Sequence, residues 1–500
     1  MKFKCLLFFA LLFHLVSTGQ RISYSVPENE DAKTVDFEII GKVGGNILVF
    51  KSLRSSKFIS IYDNEMALKD KVELDFMPDK TLNAEFIVYP DYAYMFYQFQ
   101  KRNILHCMAV KIDGNGKKIG DPVELDTTQV SIFADNKIYN MVNSEDKQRI
   151  MIFKIQKKFD KFNFTTALFN SQLQLQHKSR MQIPYDDRKD VFTDFYLDNE
   201  GTFVGAKSIK GGNRELISKL FLLTKSPFSN QFSEKEFPLN KSFLDEVMLK
   251  VDNVNRRFIL NSFYYNQKRG NIDGLYTAVW DKASGKLMAN YMTEFSDTMK
   301  REAKTDGALK FAYNDYFIRN IVLKKDGGFI LSAEDFSAQS RASQWNRMDY
   351  LSRYPYISSY DYYTSLRSPY SYYTPRNLNS VNRYYYNNIV VMSVDKDGKL
   401  AWSNVIRKEQ FDDGDDNFLS YHVMNAGGEL HFLFNELERR TQLISDQSIA
   451  PDGRITRNPT LKSLDKGYQF MPRFARQVSA KQVIVPCIYR NYICFAKIDY

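Results

Sequence analysis

The stretch that decides the fold runs from residue 39 to residue 50 and reads Ile39-Ile40-Gly41-Lys42-Val43-Gly44-Gly45-Asn46-Ile47-Leu48-Val49-Phe50. Two runs of strand-forming residues flank a Gly-Gly pair, which supplies the positive φ that a tight hairpin turn needs. The same strand-turn-strand pattern recurs every 40 to 60 residues. We place its turns at Gly44-Gly45, Pro90-Asp91, Asp135-Asn136, Asn199-Glu200-Gly201, Asp252-Asn253, Asp326-Gly327-Gly328, Ala426-Gly427-Gly428 and Ser479-Ala480.

A second hairpin follows the first in each repeat. Its turns contain aspartate and glycine, as in Asp113-Gly114-Asn115-Gly116, Asp281 to Gly285, Asp395 to Gly398 and Pro451-Asp452-Gly453. Two hairpins in a unit of this length are typical of a β-propeller blade. The sequence therefore predicts an all-β propeller of eight four-stranded blades, with seven as the alternative count. The last repeat stops after a third strand, so we expect the strand Ile22 to Val26 to pair beside it and close the propeller.

The first residues of the chain predict export. Lys2 and Lys4 form a short basic start, Leu6 to Val16 is apolar, and small residues precede Gln20. This is the pattern of a secretory signal peptide spanning residues 1–19. We therefore expect residues 20–500 to form one propeller domain that is periplasmic or secreted.

Composition excludes some partner classes. The formal net charge is +10, but 69 basic and 59 acidic residues are mixed along the chain, which argues against nucleic-acid binding by an exported protein. No stretch after the signal peptide is long and apolar enough for a membrane span. We expect a monomer whose partner is a glycan, a peptide or an envelope protein.

One long insertion interrupts the repeats between Gln339 and Asn388. Twelve of the 32 tyrosines lie between Tyr350 and Tyr386. Tyrosine gives a large contact area at low rotamer cost, so the segment is either an aromatic recognition surface or a low-complexity excursion. The candidate ligand-binding residues there are Tyr360, Tyr362, Tyr363, Arg367, Tyr370, Tyr372 and Tyr373.

Antiparallel connectivity places the insertion among other loops. In a four-stranded blade, the second-to-third loops lie at one end, opposite the first-to-second and third-to-fourth turns. The insertion is a second-to-third loop, and so are several basic loops, to which we also assign Lys147 and Arg149. These loops suit an anionic ligand, although random placement of basic residues explains them as well. The candidates chosen from them are Lys101, Arg102, Lys268, Arg269, Arg439 and Arg440.

Three smaller features leave alternatives open. The run Asp412 to Asp416 has enough carboxylates for calcium but no EF-hand spacing, and a solvated acidic turn is the preferred interpretation. Cys487 and Cys494 fall opposite each other if Arg490-Asn491 is the turn, as a disulfide or as two buried apolar residues. Residues 296 to 315 predict a short capped helix between blades.

The chain shows no motif that identifies a reaction. It has no Gly-x-Ser-x-Gly, no His-Glu-x-x-His and no phosphate-binding glycine loop. We therefore assign no catalytic residue, no metal ligand and no cofactor. The predicted function is a non-enzymatic binding or scaffold protein of the envelope that uses the insertion-bearing face. The alternative is a carbohydrate-active enzyme, a glycoside hydrolase or lyase, on the same scaffold.

The last quarter of the chain resembles uncharacterised exported proteins of Bacteroidota. The similar phrases are Ile389-Val390-Val391, Asp397-Gly398-Lys399-Leu400-Ala401-Trp402, the acidic run after them and Gln482-Val483-Ile484-Val485-Pro486. The group has no assigned activity. The resemblance therefore implies export and a repeat fold, and it implies no reaction.

Overall fold

The fold is an all-β propeller, described from a computed structural model. The structure describes residues 20–500 except 29, 33–34, 54–55, 79–80, 132–136, 187, 212–214, 305–312, 341–344, 348–380, 415, 439–440, 460 and 462–466. The predicted signal peptide, residues 1–19, lies outside the described residues. The chain divides into two compact units. Unit 1 comprises the described residues within 1–74, 114–116 and 417–500, and unit 2 those within 75–113 and 117–416.

Unit 1 contains three antiparallel sheets among its described residues. The strands are β1 Arg21–Tyr24, β2 Val35–Val43, β3 Asn46–Leu53, β4 Ser56–Tyr62, β5 Leu68–Glu73, β29 Tyr421–Ala426, β30 Glu429–Glu438, β31 Thr441–Ile449, β32 Ile455–Arg457, β33 Tyr468–Phe470, β34 Arg476–Ser479, β35 Gln482–Tyr489 and β36 Tyr492–Asp499. The first sheet has the order β2-β3-β4-β5, the second β29-β30-β31-β32, and the third is built from β33 to β36 together with β1. One 3₁₀ turn spans Pro472–Phe474.

Unit 2 contains the sheets of the middle of the chain. Its strands are β6 Thr81–Val88, β7 Tyr92–Lys101, β8 Ile104–Asp113, β9 Lys118–Gln129, β10 Tyr139–Asn143, β11 Arg149–Lys158, β12 Lys161–Asn170, β13 Leu175–Pro184, β14 Asp190–Phe192, β15 Tyr196–Leu197, β16 Phe203–Lys210, β17 Ile217–Lys225, β18 Ser233–Phe237, β19 Phe243–Leu244, β20 Met248–Asp252, β21 Arg257–Tyr265, β22 Gly274–Asp281, β23 Lys286–Glu294, β24 Tyr316–Leu323, β25 Phe329–Ser340, β26 Val381–Val394, β27 Leu400–Ile406 and β28 Phe411–Asp412. The helix α1 spans Asp297–Ala303, and Ser296 caps it by accepting from the Met299 N–H, which confirms the predicted capped helix.

The sheets of unit 2 follow chain order. Strands β6 to β9 form one sheet, β10 to β13 another, and β24 to β27 a third, on which β28 pairs with β26. Between them β14 to β23 form one ten-stranded sheet, because the short strand β19 pairs with both β17 and β21. This sheet thus contains two first-to-second hairpins, β15–β16 and β20–β21. The number of separate sheets therefore does not give the number of blades, and the blade count of eight stays a prediction.

Seven of the eight predicted inner turns join consecutive strands at the predicted place, for example Gly44-Gly45 between β2 and β3. The third repeat was predicted wrongly. Its inner turn is not Asp135-Asn136, which lies outside the described residues, but runs from Ser144 to Gln148 between β10 and β11. A hydrogen bond from the Ser144 hydroxyl to Asp146 and a positive φ at Lys147 form this turn without glycine. Lys147 and Arg149 thus belong to a first-to-second turn, not to a second-to-third loop.

The predicted closure by an N-terminal strand is confirmed. Strand β1 pairs antiparallel with β36, with Arg21 opposite Asp499 and Tyr24 opposite Ala496. We call the sheet of β1 and β33 to β36 the closing sheet. Its apolar residues, including Val483, Val485, Cys487, Cys494 and Ala496, are buried in one core cluster.

Candidate functional site

The described root of the insertion is fixed to the body of unit 2 by two side chains. The Trp345 indole N–H donates to Asp315 Oδ1 at 2.6 Å, and its ring meets that of Phe336 edge-on at 5.3 Å. The Arg347 guanidinium lies over the Phe317 ring at 3.9 Å from the centroid. Both anchors come from the segment predicted as the insertion, and the rings that they contact, Phe336 and Phe317, belong to β25 and β24.

Asp245 forms an ion pair with Arg347. The Nη2 and Nε atoms of Arg347 donate to Asp245 Oδ2 at 2.7 and 3.0 Å, and the Tyr265 hydroxyl donates to the same oxygen at 3.1 Å. The Asp245 side chain is 1% exposed and that of Arg347 9%. Burial by itself lowers the pKa of Arg347, but the adjacent Asp245 carboxylate outweighs it and raises that pKa. Arg347 and Asp245 therefore form a buried ion pair.

The position of Asp245 follows from the chain around it. Leu244 ends β19 and is buried, and Val247, also buried, precedes β20. Two buried apolar residues thus flank Asp245 and Glu246, which lie just before β20. The Glu246 side chain is partly exposed, whereas that of Asp245 is buried.

Glu246 has an unusual environment for a carboxyl group. Burial, together with the negative charge of Asp245, raises its pKa to about 6, although Arg319 and Arg347 oppose the rise. Burial also lowers the pKa of Lys210, although the charges of Asp245 and Glu246 oppose this shift. A carboxyl group that titrates near neutrality is suited to exchange a proton. We call Asp245, Glu246, Tyr265, Trp345 and Arg347 the anchor site.

A second buried ion pair lies in the sheet of β24 to β27. Lys408 Nζ lies 2.8 Å from Glu334 Oε1, and both side chains are fully buried. Lys408 also donates to the Tyr386 carbonyl at 2.8 Å and to Gln410 at 3.0 Å. Burial lowers the pKa of Lys408 despite Glu334. Glu334 belongs to β25 and Tyr386 to β26, so Lys408 joins both strands to the chain that follows β27.

The predicted tyrosines of the insertion cannot be placed against this site. Residues 348–380 lie outside the described residues, so the predictions for Tyr360, Tyr362, Tyr363, Arg367, Tyr370, Tyr372 and Tyr373 are not tested. The strands that carry the insertion are longer than predicted, because β25 continues to Ser340 and β26 begins at Val381. The insertion does connect the second and third strands of its sheet, as predicted.

Of the three basic loops that supplied candidate residues, two lie among the described residues. Lys101 and Arg102 are exposed at the turn between β7 and β8, and Lys268 and Arg269 are exposed between β21 and β22. Lys268 Nζ lies 5.9 Å from the centroid of Phe243, the first residue of β19. Arg439 and Arg440 lie outside the described residues. Both described loops connect second to third strands, as the insertion does.

The acidic run is only partly solvated. Asp413 makes an exposed two-bond pair with Arg383 at 2.6 and 2.9 Å. Asp416 is instead buried, 2.5 Å from the Tyr386 hydroxyl that donates to it. The preferred prediction of a solvated turn was therefore wrong for Asp416. Within the described ranges no three His, Cys, Asp or Glu side chains come together as a metal site would require. Nor does any described helix have the length and apolar character to cross a membrane.

Sequence reasoning missed the anchor site. The segment Phe243-Leu244-Asp245-Glu246-Val247-Met248 places two carboxylates inside an apolar run, which is a signal worth following because buried charge needs a partner. Trp345 and Arg347 stand at the start of a segment dominated by Tyr and Ser. No local pattern indicates that Arg347 meets Asp245, because 102 residues separate them.

Comparison with known proteins identifies no family for this chain. No protein-family model matches it, and no curated protein matches it. Among solved structures, it is similar to prolyl oligopeptidase B from Galerina marginata (TM-score 0.41, 8% identity), covering 92% of this chain and 56% of the other. It is also similar to the polysaccharide lyase Uly1, with a TM-score of 0.39 and 10% identity, covering 83% of this chain and 89% of the other. A third similar structure is the β-propeller domain of the Trilobed protease from Pyrococcus furiosus, with a TM-score of 0.37 and 9% identity, covering 83% of this chain and 95% of the other. The chain thus spans little more than half of the oligopeptidase, and we draw no functional argument from these likenesses.

Proposed function

We propose that the protein is an exported, non-enzymatic binding or scaffold protein of the cell envelope, monomeric, which recognises a glycan, a peptide or a partner protein through its insertion. One observation carries the proposal: at the root of a tyrosine-rich insertion, Arg347 pairs with the buried carboxylate of Asp245 and Trp345 donates to Asp315. The signal-peptide pattern of residues 1–19 supports export. Amino-terminal sequencing of the protein from the periplasm or medium tests it, with Gln20 expected as the first residue.

Arg347 and Asp245 are a buried ion pair. Replacing such a pair by apolar residues is often neutral or stabilising, so stability alone gives little reason to keep it. In this proposal its value is to hold Arg347, at the start of the insertion, against the body of unit 2. A binding loop with a fixed root loses less conformational entropy when its ligand orders it than a loop free at both ends. A fixed root and an aromatic composition are the combination that recognition needs.

The test replaces residues 348–380 with a short Gly-Ser bridge and leaves Trp345 to Arg347 and β26 intact. We expect the melting temperature to change little, since the anchors remain, and binding on a glycan array or in an envelope-protein pull-down to be lost. The matched variant is Lys101→Ala/Arg102→Ala/Lys268→Ala/Arg269→Ala, which removes the basic loops and keeps the insertion. If only the basic-loop variant loses binding, the insertion is not the recognition element and the proposal is wrong in its site.

A second candidate is a carbohydrate-active enzyme, and Glu246 is the observation that favours it. A partly exposed carboxyl with its pKa raised to about 6, next to Asp245 in the sequence, has the character of a general acid for glycoside cleavage. Release of reducing ends or unsaturated products from neutral and anionic polysaccharides measures this directly. Turnover that disappears in Glu246→Gln and persists in Asp413→Asn would establish the enzyme and overturn the non-enzymatic proposal.

A further inference from the structure

Two thiols face each other in the hairpin of β35 and β36. The register places Cys487 directly opposite Cys494, and their sulfur atoms are 2.9 Å apart. Arg490 and Asn491 form the two-residue turn, with φ values of 50° and 69°, which is the turn that aligns strands in this register. Bond formation needs the two sulfur atoms to approach further, to about 2.05 Å.

We propose that Cys487 and Cys494 are joined by a disulfide in the exported protein. The inference goes beyond the proposed binding function and depends on export, not on any ligand. The cross-link forms by thiol–disulfide exchange with a disulfide-bearing oxidoreductase. One thiolate attacks the oxidised partner and displaces a thiolate from it, and the second cysteine then resolves the mixed disulfide. The two cysteines lose two electrons and two protons, and the partner's disulfide is reduced to a dithiol.

The surroundings determine when the exchange occurs. Cys487 and Cys494 are 0% and 1% exposed, and burial raises the pKa of Cys487 well above that of a free thiol. The thiolate that attacks a disulfide is therefore disfavoured once the sheet is packed. Exchange takes place while the hairpin is formed but still uncovered. The same burial afterwards shields the bond from reductants.

The bond strengthens the strand on which the closing sheet depends. Phe495, next to Cys494, donates its N–H to the Ser25 hydroxyl and accepts from the Ser25 N–H, so β36 holds the strand that comes from the start of the chain. A cross-link between β35 and β36 keeps β36, the strand that pairs with β1, from separating from β35. It constrains the unfolded hairpin as well, modestly, because the closed loop is short.

Cys107 provides an internal control. It lies in β8 of unit 2, it is buried, and its cross-strand partners are Gln98 and Asp126, neither of which is a cysteine. Burial raises its pKa as well. We therefore expect Cys107 to stay a thiol under the conditions that oxidise the other two.

The experiment maps thiols by mass spectrometry on the full chain exported to the periplasm of an expression host. The protein is denatured and alkylated with iodoacetamide, with or without prior reduction. Without reduction we expect label on Cys107 only, and after reduction label on Cys107, Cys487 and Cys494. Label on Cys487 and Cys494 without reduction overturns the proposal.

Melting curves supply a second measurement. Reductant added to the unfolded protein before refolding is expected to lower the melting temperature by roughly 3 °C. Cys487→Ala/Cys494→Ala should melt at the lower temperature with or without reductant, and Cys107→Ser should keep the reductant-dependent shift. If the double variant does not fold, the alkylation map of the wild-type chain still decides. A reductant-dependent shift of equal size in the double variant contradicts the proposal.

Discussion

The closing sheet and the anchor site both hold a segment that comes from a distant part of the sequence, and they do so by opposite means. In the closing sheet, β1 is held by backbone pairing to β36 and by the ring of Tyr24, which lies 4.7 Å from that of Tyr468. In the anchor site, one guanidinium meets one buried carboxylate. Many weak contacts fail gradually when one is lost, whereas a buried ion pair leaves an unpaired charge when either partner is removed. The two regions should therefore respond very differently to mutation and to pH.

The largest effect is expected from Asp245→Ala. It leaves the Arg347 guanidinium buried without its carboxylate, so the free energy of unfolding should fall by about 3–5 kcal/mol. Urea unfolding measures the loss. The matched control is Asp413→Ala, which breaks the exposed pair with Arg383 and should change stability little, because solvent screens that pair. Equal losses in the two variants would show that Arg347 and Asp245 are not a buried pair.

His422 in unit 1 should make stability depend on pH in the weakly acidic range. Burial lowers its pKa to about 4 from an ordinary 6.5, and its Nε2 atom has no hydrogen-bond partner among the described residues. The unfolded chain binds this proton at pH 6.5 and the folded chain only near pH 4, so stability falls as the pH drops through that window. The loss amounts to about 3 kcal/mol at most. His422→Gln should flatten the urea-midpoint profile between about pH 7 and 4, and an unchanged slope would contradict the assignment.

Glu246 should act with the opposite sign in unit 2. Its folded pKa of about 6 exceeds the ordinary 4.5, so its contribution to stability is present below pH 4.5 and is lost as the pH rises through 6. At about pH 7 the charged form of Glu246 then costs about 2 kcal/mol. Glu246→Gln should gain that amount at about pH 7 and nothing at pH 4.5, measured by urea unfolding at both values. A gain independent of pH would mean that the carboxyl is not the titrating group.

The smallest effect is expected from Tyr24→Phe in the closing sheet. The Tyr24 hydroxyl is buried and has no hydrogen-bond partner among the described residues. Its removal keeps the ring contacts with Tyr468 and Phe470, so stability should stay equal or rise by less than about 1 kcal/mol. Thermal unfolding checks this, with Tyr24→Ala as the control that removes the ring and should lower the melting temperature. A clear loss in Tyr24→Phe would reveal a partner for the hydroxyl.

Much of the fold could be predicted because its determinants are local. Gly44-Gly45, Asp326-Gly327-Gly328 and Gly427-Gly428 specify their turns through backbone conformations that other residues seldom adopt. The third repeat was wrong because Ser144 to Gln148 turns through side-chain hydrogen bonds and a left-handed lysine, which resemble ordinary polar sequence. The closing strand was found because an unassigned alternating segment and an incomplete repeat implied each other.

The candidate site was much less predictable, since its determinants are long-range. The composition of the insertion pointed to tyrosines, whereas the described contacts that fix it come from Trp345 and Arg347. Asp245 and Glu246 are adjacent in sequence, yet one is neutralised by Arg347 and the other has a raised pKa. Both follow the short strand β19, whose pairing with β17 and β21 joins residues that are far apart in the sequence.

The pairing of β1 with β36 also imposes a waiting time on biosynthesis. Ser25 and Phe495, which exchange hydrogen bonds, are 470 positions apart. At about 5–20 residues per second, the ribosome needs roughly 25–95 s to make the partner of a strand that it has already released. Throughout that interval an unpaired edge is open to other chains, which is the condition that favours misassembly. A holding chaperone that covers residues 21–24 until β36 emerges would therefore raise the yield of folded protein without changing its final stability.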